Sequence, residues 1–229
     1  MDRLDLVAFG LFALAWLFYE PLLTAVARRR GGVLNTDMTV IRAAWMRAMV
    51  GRETRLMDGQ LLGHALNSAS FFASSNLLLI AAAAGALFGG EATFRSVSAL
   101  EVIKTSSRML FELQLALVIV ALARGLLDFI WSIRQLNYCI AAVGAVPEGL
   151  PENERKVFGD TVTRILNPAL SSFNAGVRGY YFALAAAAWL FGPWAFMSAT
   201  VGAIALLVWR QRSSAAARAI RELRSMLDR

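Results

Sequence analysis

Residues 176–212 read GVRGYYFALAAAAWLFGPWAFMSATVGAIALLVWRQR, and the thirty residues from Tyr180 to Trp209 carry no charged side chain. One helix of that length would measure about 45 Å, against a hydrocarbon core of roughly 30 Å. Gly192-Pro193 interrupts the block near its middle. The stretch therefore reads either as two spans folded at that dipeptide or as one long helix kinked at Pro193.

Counting arginine and lysine on each side chooses between the two. If the block is a single span, twelve basic residues face one side and ten the other; if it is a hairpin, the division becomes eighteen against four. Loops rich in arginine stay on the cytoplasmic side, so the hairpin is preferred. It also puts Trp189 and Trp194 at the outer interface and Trp209 at the inner one, where tryptophan favours the headgroup layer.

The rest of the chain fits that picture. Hydrophobic residues make up 58% and charged residues 17% of 229, and the apolar residues come in blocks rather than stripes. Ordinary soluble domains are closer to half apolar and a quarter charged. The expected fold is an all-α polytopic integral membrane helical bundle in a single domain, 1–229. Its five spans fall at about 4–27, 66–88, 109–133, 172–191 and 194–209, or four if the last block is one kinked helix. Amphipathic interfacial segments are expected at 35–65, 151–167 and 211–229. The first span, followed by Arg28, Arg29 and Arg30, reads as retained rather than as a cleaved signal. Charged residues between the second and third spans include Glu91, Glu101, Lys104 and Arg108.

The net charge is +7, with arginine supplying 21 of the 23 basic residues. Beside spans, that charge points to anionic headgroups as partners. A nucleic-acid partner is excluded, since no soluble basic face with interleaved aromatics is present. The arginine bias points to a GC-rich bacterial genome, hence a bacterial cytoplasmic (inner) membrane. The expected topology puts the amino terminus outside and the carboxyl tail in the cytoplasm. Cys139 is the only cysteine and His64 the only histidine, which leaves no disulfide, no metal site and no catalytic triad to build. No catalytic residue and no cofactor is expected.

Four pieces resemble an uncharacterised membrane family of plants and proteobacteria, domain of unknown function five-nine-nine. They are AAWMRAM (43–49), NSASFFASSNLLL (67–79), WSIRQLNYCIAAVGAVP (131–147) and GVRGYYFALAAAAWLFGP (176–193). The resemblance implies a helical membrane protein and brings no activity with it.

Ionisable groups inside spans are costly and mark sites worth testing. Arg124 and Asp128, four apart, share a helix face, either as a structural ion pair or as the charged lining of a polar path. Arg134 and Arg178, with Asn137, Tyr138 and Tyr181 nearby, have the fork geometry to grip a phosphate or carboxylate. Lipid phosphates would satisfy the same groups. Glu20 is a candidate buried carboxylate whose expected partner is one of Arg28 to Arg30. Asn67, Ser70, Ser74, Gly85 and Gly89 form a helix-packing face, within the chain or in a homo-oligomer. Together these features suggest a small oligomeric channel or carrier for a small anionic solute. The alternative is a non-transporting membrane module that binds anionic lipid or helps assemble a larger complex.

Overall fold

The computed structural model describes residues 2–30, 34–100 and 107–227, without the side chains of 22–30 and 35. Glu101 and Lys104, and the side chains of Arg28 to Arg30, lie outside these. Among the described residues the fold is helical with no strand. The helices are α1 (Arg3–Arg30), α2 (Leu34–Val50), α3 (Leu56–Phe88), α4 (Gly90–Ser98), α5 (Arg108–Gly144), α6 (Glu152–Ala187), α7 (Pro193–Arg212) and α8 (Ala215–Leu227), with a 3-10 turn at Ala188–Phe191.

The apolar block divides where the sequence placed its break. Gly192 adopts φ 104° and ψ 168°, a backbone region open almost only to glycine. Its N–H donates to Trp189 O at 2.9 Å, and its carbonyl accepts from Phe196 N at 3.1 Å to start α7. Pro193 follows as the first residue of α7, a place that needs no backbone donor. Trp189 then stacks on Phe196 across the turn, ring centroids 4.9 Å apart. One continuous helix is excluded.

Four helical segments are long and apolar enough to cross a membrane: Arg3–Pro21, Leu56–Phe88, Arg108–Gly144 and the segment opening at Pro193. The stretch 172–191 is not among them. Asn174 and Arg178 lower its hydropathy, and much of its surface, from Gly176 to Ala186, is covered by protein rather than turned outward. Helices α3 and α5 also run further than the apolar segments read from the sequence. With 33 and 37 residues they measure about 50 and 55 Å. Hydropathy marks where a helix can meet lipid, not where its hydrogen bonds stop. The stretch 35–65 is accordingly two pieces, α2 and the start of α3, separated at Gly51–Arg55.

The chain forms two compact units. The first comprises Met1–Arg29, Ser74–Leu126 and Gly176–Trp209; the second comprises Arg30–Ala73, Leu127–Ala175 and Arg210–Arg229. The core of the first is aromatic. Phe12 of α1 meets Phe182 of α6 edge-on at 6.0 Å and Phe196 of α7 at 5.1 Å. Helices α5 and α6 cross at Gly125 and Gly179, where a Cβ on Gly179 would stand 3.1 Å from the Gly125 Cα. Asn76 of α3, buried at the same crossing, donates to Leu122 O at 3.0 Å.

In the second unit, Met46, Met49, Leu62, Leu136, Val162 and Leu166 pack together from α2, α3, α5 and α6. Phe72, Phe129 and Phe173 form an aromatic trio with centroids 5.7 to 5.8 Å apart. Helix α6 approaches α2 so closely that a Cβ on Gly159 would stand 2.7 Å from the Arg47 Cα. Helix α8 packs against α2.

Candidate functional site

The polar residues singled out from sequence divide between the two units. In the first unit, Arg178 of α6 donates to Glu20 of α1 at 2.8 Å. The arginine side chain is 10% exposed and the glutamate 58%. Among the described residues the Tyr19 hydroxyl beside them is buried without a hydrogen-bond partner, and its ring meets Phe182 edge-on at 6.2 Å. A guanidinium enclosed by apolar surface needs a counter-charge, and α1 supplies it from 158 residues away. Tyr181 is half-buried on the following turn of α6.

Arg124, Asp128, Arg134, Asn137 and Tyr138 all lie on α5, Arg124 in the first unit and the rest in the second. Arg124 is exposed and Asp128 half-buried. Farther along, Trp131 and Tyr138 are 51% and 50% exposed, with Arg134 open between them. The spacing 131, 134, 138 places all three on one helix face. Arg134 Nη2 donates to the Tyr138 hydroxyl at 3.3 Å, and Asn137 donates back to Ile133 O at 3.0 Å. Leu127 and Ile130, 64% and 45% exposed, continue the same side as an apolar strip. An indole, a guanidinium and a phenol above an apolar strip match the chemistry of the headgroup layer.

The small-residue face of α3 points outward. Asn67, Ser70, Ser74, Gly85 and Gly89 are exposed, and a Cβ on Gly85 would meet nothing within 4 Å. Close glycine packing occurs instead at Gly125, Gly176 and Gly179, where helices α5 and α6 cross. The sequence reading had not picked out that set. The available signal was the G-x-x-G spacing of Gly176 and Gly179 inside a quoted motif.

Several buried polar groups were also not legible. In the first unit, Asp5 accepts the Trp189 indole N–H at 2.9 Å, and Gln114 donates to the Trp189 carbonyl at 3.1 Å. These two contacts fix the tryptophan that precedes the Gly192 turn. In the second unit, Asp58 is fully buried in the first turn of α3, where a helix favours negative charge. It accepts the Trp45 indole N–H at 2.6 Å and a hydrogen bond from Arg52. Asp37, 1% exposed, pairs with Arg224 of α8 at 2.6 Å, and Arg47 pairs with Asp160 of α6 at 2.6 Å. Arg42 is 7% exposed and reaches Asn167 of α6 at 3.4 Å; burial draws its pKa below the ordinary arginine value. The segment 35–65, expected to be amphipathic and interfacial, thus carries one arginine inside the unit.

Among the described residues no three His, Cys, Asp or Glu side chains gather as a metal ion would require. A groove of about 390 Å³ between α5 and α6 in the second unit is lined mainly by apolar side chains such as Ala142, Leu150, Val157 and Phe158. Glu154 is its one charged lining residue, too little for acid–base chemistry.

No curated protein and no solved structure matches the chain. A family model described as a protein of unknown function, DUF599, matches residues 7–216. With nearly the whole chain matched, this helical membrane protein belongs to the DUF599 family.

Proposed function

We propose that the protein is a non-transporting membrane module that holds anionic phospholipid against the arginine-bearing surface of its second unit. One observation carries the reading: Trp131, Arg134 and Tyr138 share one open face of α5, with Leu127 and Ile130 beside them. Arg134 and the Tyr138 hydroxyl offer donors to a phosphate, and the apolar strip offers a surface to its acyl chain. Arg218 of α8 adds exposed positive charge to the same unit. In this reading 172–191 also crosses, as a fifth span covered by protein, so that the amino terminus lies outside and the tail at the cytoplasmic face, where anionic lipid adds about 1 kcal/mol per arginine near the surface.

The test uses brominated lipids, which quench tryptophan on contact, with the full chain in nanodiscs. Brominated phosphatidylglycerol should quench more than brominated phosphatidylcholine, and Trp131→Phe should remove most of the difference. Arg134→Gln should cut the relative affinity about fivefold, the equivalent of about 1 kcal/mol. Equal quenching by both lipids sinks the proposal.

The channel or carrier reading keeps one supporting observation, the Arg178–Glu20 pair held between α1 and α6. It requires solute flux in liposomes that Arg178→Ala abolishes while the fold persists. An anion-stimulated leak through the wild-type protein would place this reading ahead of lipid binding.

A further inference from the structure

Arg42 stands apart from the other arginines of its unit. Among the described residues its guanidinium makes a single hydrogen bond, from Nη1 to Asn167 Oδ1, long at 3.4 Å. Nε is sealed from solvent with no acceptor. Nη2 makes no hydrogen bond among the described residues, and the residue keeps 7% of its surface open. Among the described residues no carboxylate pairs with Arg42, and the acids of its unit that do form ion pairs hold other arginines. Asp37 holds Arg224, Asp58 holds Arg52, and Asp160 holds Arg47. A cation so enclosed without a counter-charge is strongly disfavoured, and its natural complement is an oxyanion that the fork can grip. Arg164, exposed and three residues before Asn167 on α6, adds positive charge on the same side of that helix.

We propose that Arg42, with Asn167 beside it, seats a bound phosphate group against its guanidinium. The phosphate is either free or carried by a lipid headgroup. In the second case the inference rests on the lipid-binding reading and names a seat within it; in the first it stands without that reading.

The experiment follows thermal unfolding of the full chain in neutral-detergent micelles. The additives are inorganic phosphate, phosphatidylglycerol, or phosphatidylcholine as the zwitterionic comparison of zero net charge. Wild-type protein should gain roughly 5–10 °C in Tm at a hundredfold excess over the dissociation constant, and Arg42→Gln should gain nothing from inorganic phosphate and less than wild type from phosphatidylglycerol. Because Arg42→Gln alters a buried site, Asn167→Asp provides a second variant. It hands Arg42 a carboxylate, so it should melt above wild type without ligand and lose the response. A response to inorganic phosphate assigns a free oxyanion, whereas a response to phosphatidylglycerol alone assigns the headgroup. Wild-type protein indifferent to both, or Arg42→Gln responding as wild type does, overturns the proposal. Equal quenching by brominated lipids alongside an intact phosphate response would remove the lipid reading and not this one.

Discussion

The two units of this chain treat buried polar groups differently. In the first, Asp5 is tied to Trp189, Gln114 to the Trp189 carbonyl and Arg178 to Glu20. Among the described residues, two buried polar side-chain atoms there lack a hydrogen-bond partner, on Tyr19 and Asn76. Among those of the second unit there are six, on Asp37, Arg42, Arg55, Asp58, Gln135 and Gln211. The first unit is closed by aromatic packing around a few complete polar ties. The second keeps charged groups that its own chain does not fully satisfy, together with an open arginine and tyrosine on α5. The difference teaches where a ligand is worth seeking, because unmet polar capacity is what a bound phosphate completes.

The comparison can be broken first at Asp58. Asp58→Ala leaves the Trp45 indole and the Arg52 guanidinium without their acceptor, and should cost about 2–4 kcal/mol in denaturant or thermal unfolding. Asp58→Asn keeps an acceptor for Trp45 and should lose less. If both variants melt with wild type, the second unit does not depend on that buried carboxylate.

In the first unit the corresponding weak point is backbone geometry. Gly192→Ala puts a side chain where φ is 104°, at an expected cost of about 1–3 kcal/mol. A melting curve unchanged by this substitution would mean the hairpin turn is not held as described. Gly159→Ala in the second unit should cost a similar amount, about 1–3 kcal/mol, because its Cβ would meet the Arg47 backbone at 2.7 Å. Gly85→Ala on the open face of α3 should gain up to about 1 kcal/mol from helix propensity alone. A marked loss at Gly85 would show that a partner copy covers that face.

What could be read from sequence follows from range. The Gly-Pro break, the apolar spans and the four family motifs are local, and each was legible from neighbouring residues. Glu20 pairs with Arg178, 158 residues away, which no local pattern indicates; the side chains of Arg28 to Arg30, its expected partners, lie outside the described residues. Asp5 and Trp189 lie 184 residues apart, and no local pattern couples them. Arg42 looked like its neighbours Arg47 and Arg52 because covering a helix face is a tertiary event, here involving α6. The outward turn of Asn67, Ser70 and Ser74 was hidden for the same reason. Small residues on a helix permit close approach, but they do not say whether a neighbour arrives.

The central claim, that the second unit holds anionic phospholipid, is tested most directly by native mass spectrometry of protein released gently from its own membranes. The account predicts wild-type chains carrying bound anionic phospholipid, and an Arg134→Gln/Tyr138→Phe double variant that has lost most of it. Wild-type protein emerging as a lipid-free oligomer, with the double variant indistinguishable from it, would contradict the account and return attention to transport.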